Sequence, residues 1–349
     1  MAFDSEPMTD RSGILAGGNF IVDRSKIIDV YPAQDALANI LQETSCNGGG
    51  PYNLLIDLAR LQAPFPLSAV GLVGSDPAGE SIVADCCANG IDTGQLQVST
   101  VAPTSYTDVM TVRSTGRRTF FHQRGANALL DSAHFDFTAS HARIFYLGYL
   151  LLLDRLDQPD SVYGTAAAAL LARAQRAGLK TSIDVVSEDS DRFPEIVRPA
   201  LKHCDYCLLN EFEAERTTGI SLVRAHGINL DAARQAARHL LKAGVREWVV
   251  IHFPEGAVAV GAEGDALTQG SVKLPQSRIA GMVGAGDAFA AGVLLGLHQK
   301  QPMEAALKYG VCAAAASLTD PTSSVGVKSL AECLREGEGC GFRDLFFKP

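Results

Sequence analysis

The stretch Gly281-Met282-Val283-Gly284-Ala285-Gly286-Asp287 runs directly into Ala288-Phe289-Ala290-Ala291-Gly292-Val293-Leu294-Leu295-Gly296-Leu297. The second half reads as a helix of small and apolar residues, suited to tight packing on a sheet. The first half is a glycine-rich turn feeding its N-terminus. Gly284 and Gly286 open backbone conformations closed to other residues. The N–H groups of Ala285, Gly286 and Asp287 would then point outward together, unpaired, at the positive end of the helix dipole. Such an anion hole suits a phosphoryl group gaining charge on its transferring oxygens. On this ground alone Asp287 has two readings. It can be a carboxylate that stabilises the helix start. It can also be a general base placed to take a proton from an attacking hydroxyl.

Upstream of this turn, short apolar runs alternate with helical patterns. The candidate strands are Ile14 to Val22, Leu67 to Val73, Ile144 to Leu147, Thr181 to Val185, Tyr206 to Leu209 and Trp248 to Ile251. Helix-period segments lie between them at Asn53 to Leu61, Ala78 to Asn89, Val162 to Arg176 and Asp231 to Ala243. The last is the clearest, with a cap at Asn229 or Asp231 and Gly244 after its end. This alternation predicts βαβ units and a largely parallel sheet with helices on both faces. Two stretches break it. Lys26 to Tyr31 reads as a short strand with no helix after it. Tyr106 to Val112 and Arg118 to His122 read as a hairpin turning at Ser114-Thr115-Gly116. These strands could form a small separate sheet, suited to a lid. No linker marks two domains, so the whole chain, 1–349, reads as one domain with lid segments at about 24–33 and 104–124.

Composition narrows the function. Apolar residues make up 47% and charged residues 20% of 349, with a formal charge of −9. A long Lys/Arg run is absent, which argues against nucleic acid or an anionic membrane as partner. The longest aliphatic run ends at Leu150 to Leu153, far short of the ~20 residues of a membrane helix. The start at Met1–Pro7 is acidic and lacks the pattern of a signal peptide. Eight scattered cysteines do not form a disulfide framework. Cys204 and Cys207 open an apolar strand and read as buried structural thiols. A reduced, cytoplasmic protein is the expectation. The P-loop, dinucleotide, zinc-protease and G-x-S-x-G patterns are all missing.

The 281–287 segment resembles the signature D-T-x-G-A-G-D of the ribokinase-like carbohydrate kinases, the PfkB family. Gly284, Ala285, Gly286 and Asp287 match it. The resemblance implies Asp287 as catalytic base and the 284–286 backbone as anion hole. Gly281 and Met282 stand where the family usually has Asp and Thr, a pair linked to a monovalent-cation site, which puts potassium activation in doubt. Further similarity follows in chain order. Gly18-Asn19-Phe20-Ile21-Val22-Asp23 resembles the first strand and its sugar-binding Asp. Gly48-Gly49-Gly50-Pro51-Tyr52-Asn53 resembles the G-G-x-x-x-N substrate loop. Gly71 to Gly79 resembles G-x-x-G-x-D-x-x-G, and Gly125-Ala126-Asn127-Ala128 follows the hairpin. Asn210-Glu211-Phe212-Glu213 resembles the N-x-x-E motif associated with magnesium-bound water and phosphate.

The fold this implies is a ribokinase-like three-layer α/β/α sandwich with a small β lid. Asp23, Gly48, Gly49 and Asn53 would hold the sugar, with Arg118 or Arg124 of the hairpin reaching substrate or phosphate. Asn210 and Glu213 would serve magnesium, with hard oxygen ligands that suit it. The nucleotide, ATP, would lie between His252 to Gly256 and the helix after Pro302. Each residue also has a plainer reading: Asp23 as a loop carboxylate, the glycines as a flexible turn, Asn210 and Glu213 as a capped helix start, and the arginines as a solvated edge. The implied activity is transfer of the ATP γ-phosphoryl to a sugar hydroxyl, with a primary one expected. The alternatives are a nucleoside kinase of the same fold or a non-catalytic sugar or nucleotide sensor. Lid strands pairing between subunits would give a homodimer.

Overall fold

The computed structural model describes residues 11–224 and 227–345; Met1–Pro7 lies outside them. In chain order the first elements are β1 (Ile14–Gly18), β2 (Ile21–Ile28), β3 (Ile40–Gly48) and α1 (Gly50–Arg60). Next come β4 (Leu67–Gly74), α2 (Pro77–Ala88), β5 (Asp92–Ser99), β6 (Ser105–Val112) and β7 (Arg118–Gln123). Then follow β8 (Ile144–Leu150), the small pair β9 (Pro159–Asp160) and β10 (Gly164–Thr165), α3 (Ala166–Arg176), β11 (Lys180–Val185) and α4 (Phe193–Leu201). After these lie β12 (Tyr206–Asn210), α5 (Glu211–Thr218), the pair β13 (Val223–Arg224) and β14 (Gly227–Ile228), and α6 (Leu230–Ala243). The chain continues through β15 (Trp248–Phe253), β16 (Gly256–Gly261), β17 (Ala266–Gly270), α7 (Ala285–His298), α8 (Met303–Ser317) and α9 (Leu330–Cys340).

The main sheet has nine strands in the order β17-β16-β15-β12-β11-β8-β1-β4-β5. From β15 to β5 every pairing is parallel. The hairpin strands β16 and β17 add an antiparallel edge. Side chains alternate across this sheet with period two. Ile14, Ala16, Ile144 and Tyr146 join the core under α1, α7 and α8. Leu15, Phe145 and Leu147 join the opposite core with α3, α4 and α6. Two apolar layers on one sheet give the three-layer sandwich the alternation predicted.

The helix after the glycine turn packs less on the sheet than expected and more on its neighbour. A Cβ on Gly292 would come within 2.6 Å of the Tyr309–Gly310 backbone, and one on Gly296 within 2.7 Å of Ala306. The small residues of α7 therefore let α8 approach backbone to backbone. The two helices run antiparallel in contact, so Pro302 lies beside the far half of α7. The end of α8 that adjoins Gly284 is its C-terminal loop, where the Ser323 carbonyl would lie 2.4 Å from a Cβ there.

The lid is a four-stranded sheet, β3-β2-β6-β7. The β6–β7 hairpin falls where the sequence placed it. The stretch Ile14 to Val22 is two strands, not one. Gly18 has φ +129°, and a Cβ there would collide with the Gly148 carbonyl. The buried Asn19 follows it, so the chain leaves the main sheet and starts β2 in the lid. Asp23 therefore sits in the lid, not at the end of a main-sheet strand. Lys26 to Ile28 belongs to the same β2, which stops short of Tyr31.

Candidate active site

Gly284 caps α7 in the left-handed conformation, φ 77°, and no side chain caps the helix. The first-turn amides of Ala285, Gly286 and Asp287 have no intrahelical acceptor, as in any helix start. Asp287 is 6% exposed. Its Oδ2 accepts a hydrogen bond from Asn53 Nδ2 at 2.8 Å, and its Oδ1 accepts one from the Tyr149 phenol at 2.6 Å. Asn53 Oδ1 in turn accepts from Ser323 Oγ at 2.9 Å. Burial pushes the Asp287 carboxyl up to about 6, and the two hydrogen bonds oppose that rise. The side chain can hold a proton or release it near neutral pH, which is what acid–base work requires.

The 48–50 turn places α1 against this carboxylate. A Cβ on Gly48 would meet Asp23 Oδ2, and one on Gly49, φ 98°, would meet the Asn19 carbonyl. A Cβ on Gly50 would meet the Tyr149 ring at 2.8 Å. The helix starts at Gly50 with Pro51 in its first turn, and Asn53 follows, buried and facing Asp287. Asp23 comes down from the lid. Its carboxyl is pushed up to about 7, by burial first and then by the charge of Asp287. Across the lid Cys46 pairs with Asp23, Asp23 with Thr107, and Thr107 with His122. Thr107 Oγ1 and His122 Nδ1 lie 2.9 Å apart. Burial lowers His122 to about 4, so its ring is neutral near pH 7.

The two arginines part company. Arg124 is committed at the loop after β8: it donates to the Leu151 carbonyl at 3.0 Å and pairs with Asp154 and Glu188. Arg118 lies at the turn end of the hairpin, opposite Thr111, with its guanidinium 5.6 Å over the Phe120 ring.

On the other side of Asp287, Asn210 and Glu213 form a capping box at the start of α5. Glu213, 4% exposed, accepts from the Asn210 backbone N–H, from Asn210 Nδ2 and from Ser187 Oγ. Among the described residues, no group of three or more His, Cys, Asp or Glu could hold a metal directly. Carboxyl groups crowd the site all the same. Burial and the charge of Asp287 push Asp184 up, and burial and the charge of Asp184 push Glu213 up. Tyr146 donates to Asp184 at 2.8 Å. Magnesium keeps several waters and takes much of its coordination from phosphate. These carboxylates fit such an ion, held through water, and do not fit a protein cage.

His252, on β15, stands beside the anion hole: its Cε1 would lie 3.4 Å from a Cβ on Gly286. Its ring packs 5.0 Å from Phe289, and burial keeps it neutral, near 4. Gly256 is at the β15–β16 turn with φ 153°, where a Cβ would meet the Gln269 carbonyl. Sequence reasoning passed over Tyr149, Tyr146, Asp184, Asn19 and Ser323. Tyr149 and Asp184 lie at the C-terminal ends of parallel strands, where the crevice of an open sheet opens, and that signal was available.

Comparison with known proteins gives the family and the fold. The model of the pfkB family of carbohydrate kinases matches residues 19–329. Ribokinase from Arabidopsis thaliana, solved with ribose and ATP, is 20% identical with a TM-score of 0.76, over 94% of this chain and 99% of that one. Ribokinase from Giardia lamblia is 18% identical with a TM-score of 0.78, over 93% and 99%. A nucleoside kinase from Methanocaldococcus jannaschii is 14% identical with a TM-score of 0.73, over 94% and 98%. These likenesses speak to the ribokinase fold, and the family match, which spans most of the sequence, carries the rest: this chain belongs to the pfkB family of carbohydrate kinases.

Proposed function

We propose that this protein is an ATP-dependent sugar kinase that phosphorylates a primary sugar hydroxyl. The observation that carries the reading is the buried Asp287 carboxylate at the open, glycine-capped start of α7. The acceptor hydroxyl gives its proton to Asp287 as its oxygen bonds to the γ-phosphorus. The bond from that phosphorus to the β–γ bridging oxygen breaks, and ADP leaves. The amides of 285–287 receive the charge that spreads over the transferring oxygens. Asp23 and Asn53 orient the sugar, with Gly48 and Gly49 allowing its close approach. Asn210 and Glu213 would hold magnesium through water, and that ion would supply positive charge to the phosphates. The neutral His252 borders the nucleotide side. Lid closure over Asp23 excludes water and limits idle ATP hydrolysis.

A panel of sugars and nucleosides, read by ADP release, tests this. Turnover on a sugar supports the reading; turnover on nucleosides alone moves the chain to a nucleoside kinase, and sugar binding without turnover makes it a sensor. No described helix is long and apolar enough to cross a membrane. A cytoplasmic location with small-molecule partners is part of the proposal. The lid leaves Ile40, Leu41, Phe120 and Phe121 exposed. A second copy covering them would make a homodimer, and light scattering at 37.0 kDa would count against it.

A further inference from the structure

We propose that Tyr149 is a positioning residue that caps Asp287 in the sugar-free enzyme and is displaced by the acceptor hydroxyl. The inference rests on the reading of Asp287 as base. Both carboxylate oxygens are occupied in this structure, one by Asn53 and one by the Tyr149 phenol. An acceptor hydroxyl must present its own O–H to one of them. The two occupants differ in how firmly they are held. Asn53 is buried within α1, and its amide is gripped at the other end by Ser323. Tyr149 reaches in from the end of β8, is partly buried, and has a single phenol proton to give, which goes to Asp287 Oδ1. Its backbone is anchored, because its N–H donates to the buried Asn19 at 2.5 Å. The ring is seated on Gly50, where any Cβ would crowd it. A small rotation of the ring about this anchored point frees Oδ1 without moving the backbone. Burial and the neighbouring Asp287 keep the phenol protonated, so it acts only as a donor. The acceptor hydroxyl is a donor of the same kind and takes its place in kind.

This arrangement makes a distinct prediction, because a carboxylate oxygen has two lone pairs and a rival arrangement would keep the phenol in place. The dependence of kcat/KM on pH reports the sugar-free enzyme, and that of kcat the sugar complex. A phenol donating to an ionised carboxylate holds the acid's pKa down by about one unit. Tyr149→Phe keeps the ring on Gly50 and removes only that donor. In the sugar-free protein, the carboxyl titration of Asp287 followed by 13C NMR should move from about 6 upward by about one pH unit. At saturating Mg-ATP, the acid limb of kcat/KM for the sugar should move by the same amount, while the limb of kcat stays where it is.

If both limbs move together, the phenol remains on Asp287 through catalysis and the displacement is wrong. An unchanged NMR midpoint removes the cap altogether. Asp287→Asn run alongside keeps the two readings apart: near-normal turnover there refutes Asp287 as base, whereas the Tyr149→Phe midpoint still reports the contact. If no sugar or nucleoside turns over, the displacement falls together with the proposed activity.

Discussion

Replacing Asp287 by Asn should lower activity and raise stability, and the second effect should depend on pH. In the folded protein burial pushes this carboxyl from 3.8 up to about 6. A pKa raised on folding leaves stability intact below the unfolded value and removes it as pH rises through the folded one. The shift of about two units corresponds to about 3 kcal/mol lost between pH 4 and pH 8. Asp287 is 6% exposed, so solvent screens little of this. Asparagine keeps the shape and removes the charge. It must reverse or lose one of the hydrogen bonds from Asn53 and Tyr149, a cost of about 1 kcal/mol that does not vary with pH. The difference in stability between variant and wild type should therefore grow by about 3 kcal/mol over that range. At this chain length that is a relative gain of about 4 °C in Tm. Parallel thermal melts at pH 4, 6 and 8 measure it. Turnover should fall by about 10² to 10⁴ in the same protein. A Tm difference that stays constant across the range would refute the argument from burial, because Asp287 would then titrate as an ordinary carboxyl.

Other outcomes follow from the same geometry. Wild-type turnover should fall as pH drops through about 6, since Asp287 must be ionised to accept a proton; a profile flat to pH 4.5 would contradict this. Gly284→Ala should lose at least ~1–2 kcal/mol, since it forces a Cβ into a left-handed position against the Ser323 carbonyl. Gly286→Ala should leave stability within ~1 kcal/mol of wild type, because its Cβ meets only His252 at van der Waals distance. Chemical denaturation compares the two. Asn53→Ala strips a donor from Asp287 and orphans Ser323 Oγ; it should cost about 1–3 kcal/mol and move the acid limb of kcat/KM upward.

The six central strands of the main sheet were legible because they are mostly buried on both faces and the helices between them carry an apolar stripe, whereas the more exposed β5 and β17 were not read. Tyr206–Asn210 and Leu230–Ala243 fall within a residue of their sequence readings. The lid was half legible. Its hairpin shows turn chemistry at Ser114 to Gly116, but β3 exposes Ile40 and Leu41 and continues with polar residues, so it carries no alternation to read. The Ile14 to Val22 run looked like one strand because its break depends on Gly18 meeting Gly148, a contact far along the chain. The antiparallel strand Gly256–Gly261, inside the edge hairpin, was also missed, since it is short, small-residued and apolar on both faces. In the site, Asp287, Asn53 and the glycines were legible from local turn chemistry. Tyr149 offered only its place at a strand end, which does not by itself mark it as a partner of Asp287. Its role depends on a partner 138 residues away. Asn210 and Glu213 follow their plainer reading, since they cap α5; the cap also sets Glu213 within reach of the Asp184 charge, and the magnesium role remains a proposal.

The most direct measurement of the central claim is product analysis by 31P NMR with Mg-ATP and the sugar panel, run on wild type and on Asp287→Asn side by side. The account predicts a new sugar phosphate ester with matching ADP from wild type, and only a trace from the variant. A wild-type protein that forms no sugar phosphate, or a variant that forms it at a rate near wild type, would contradict it.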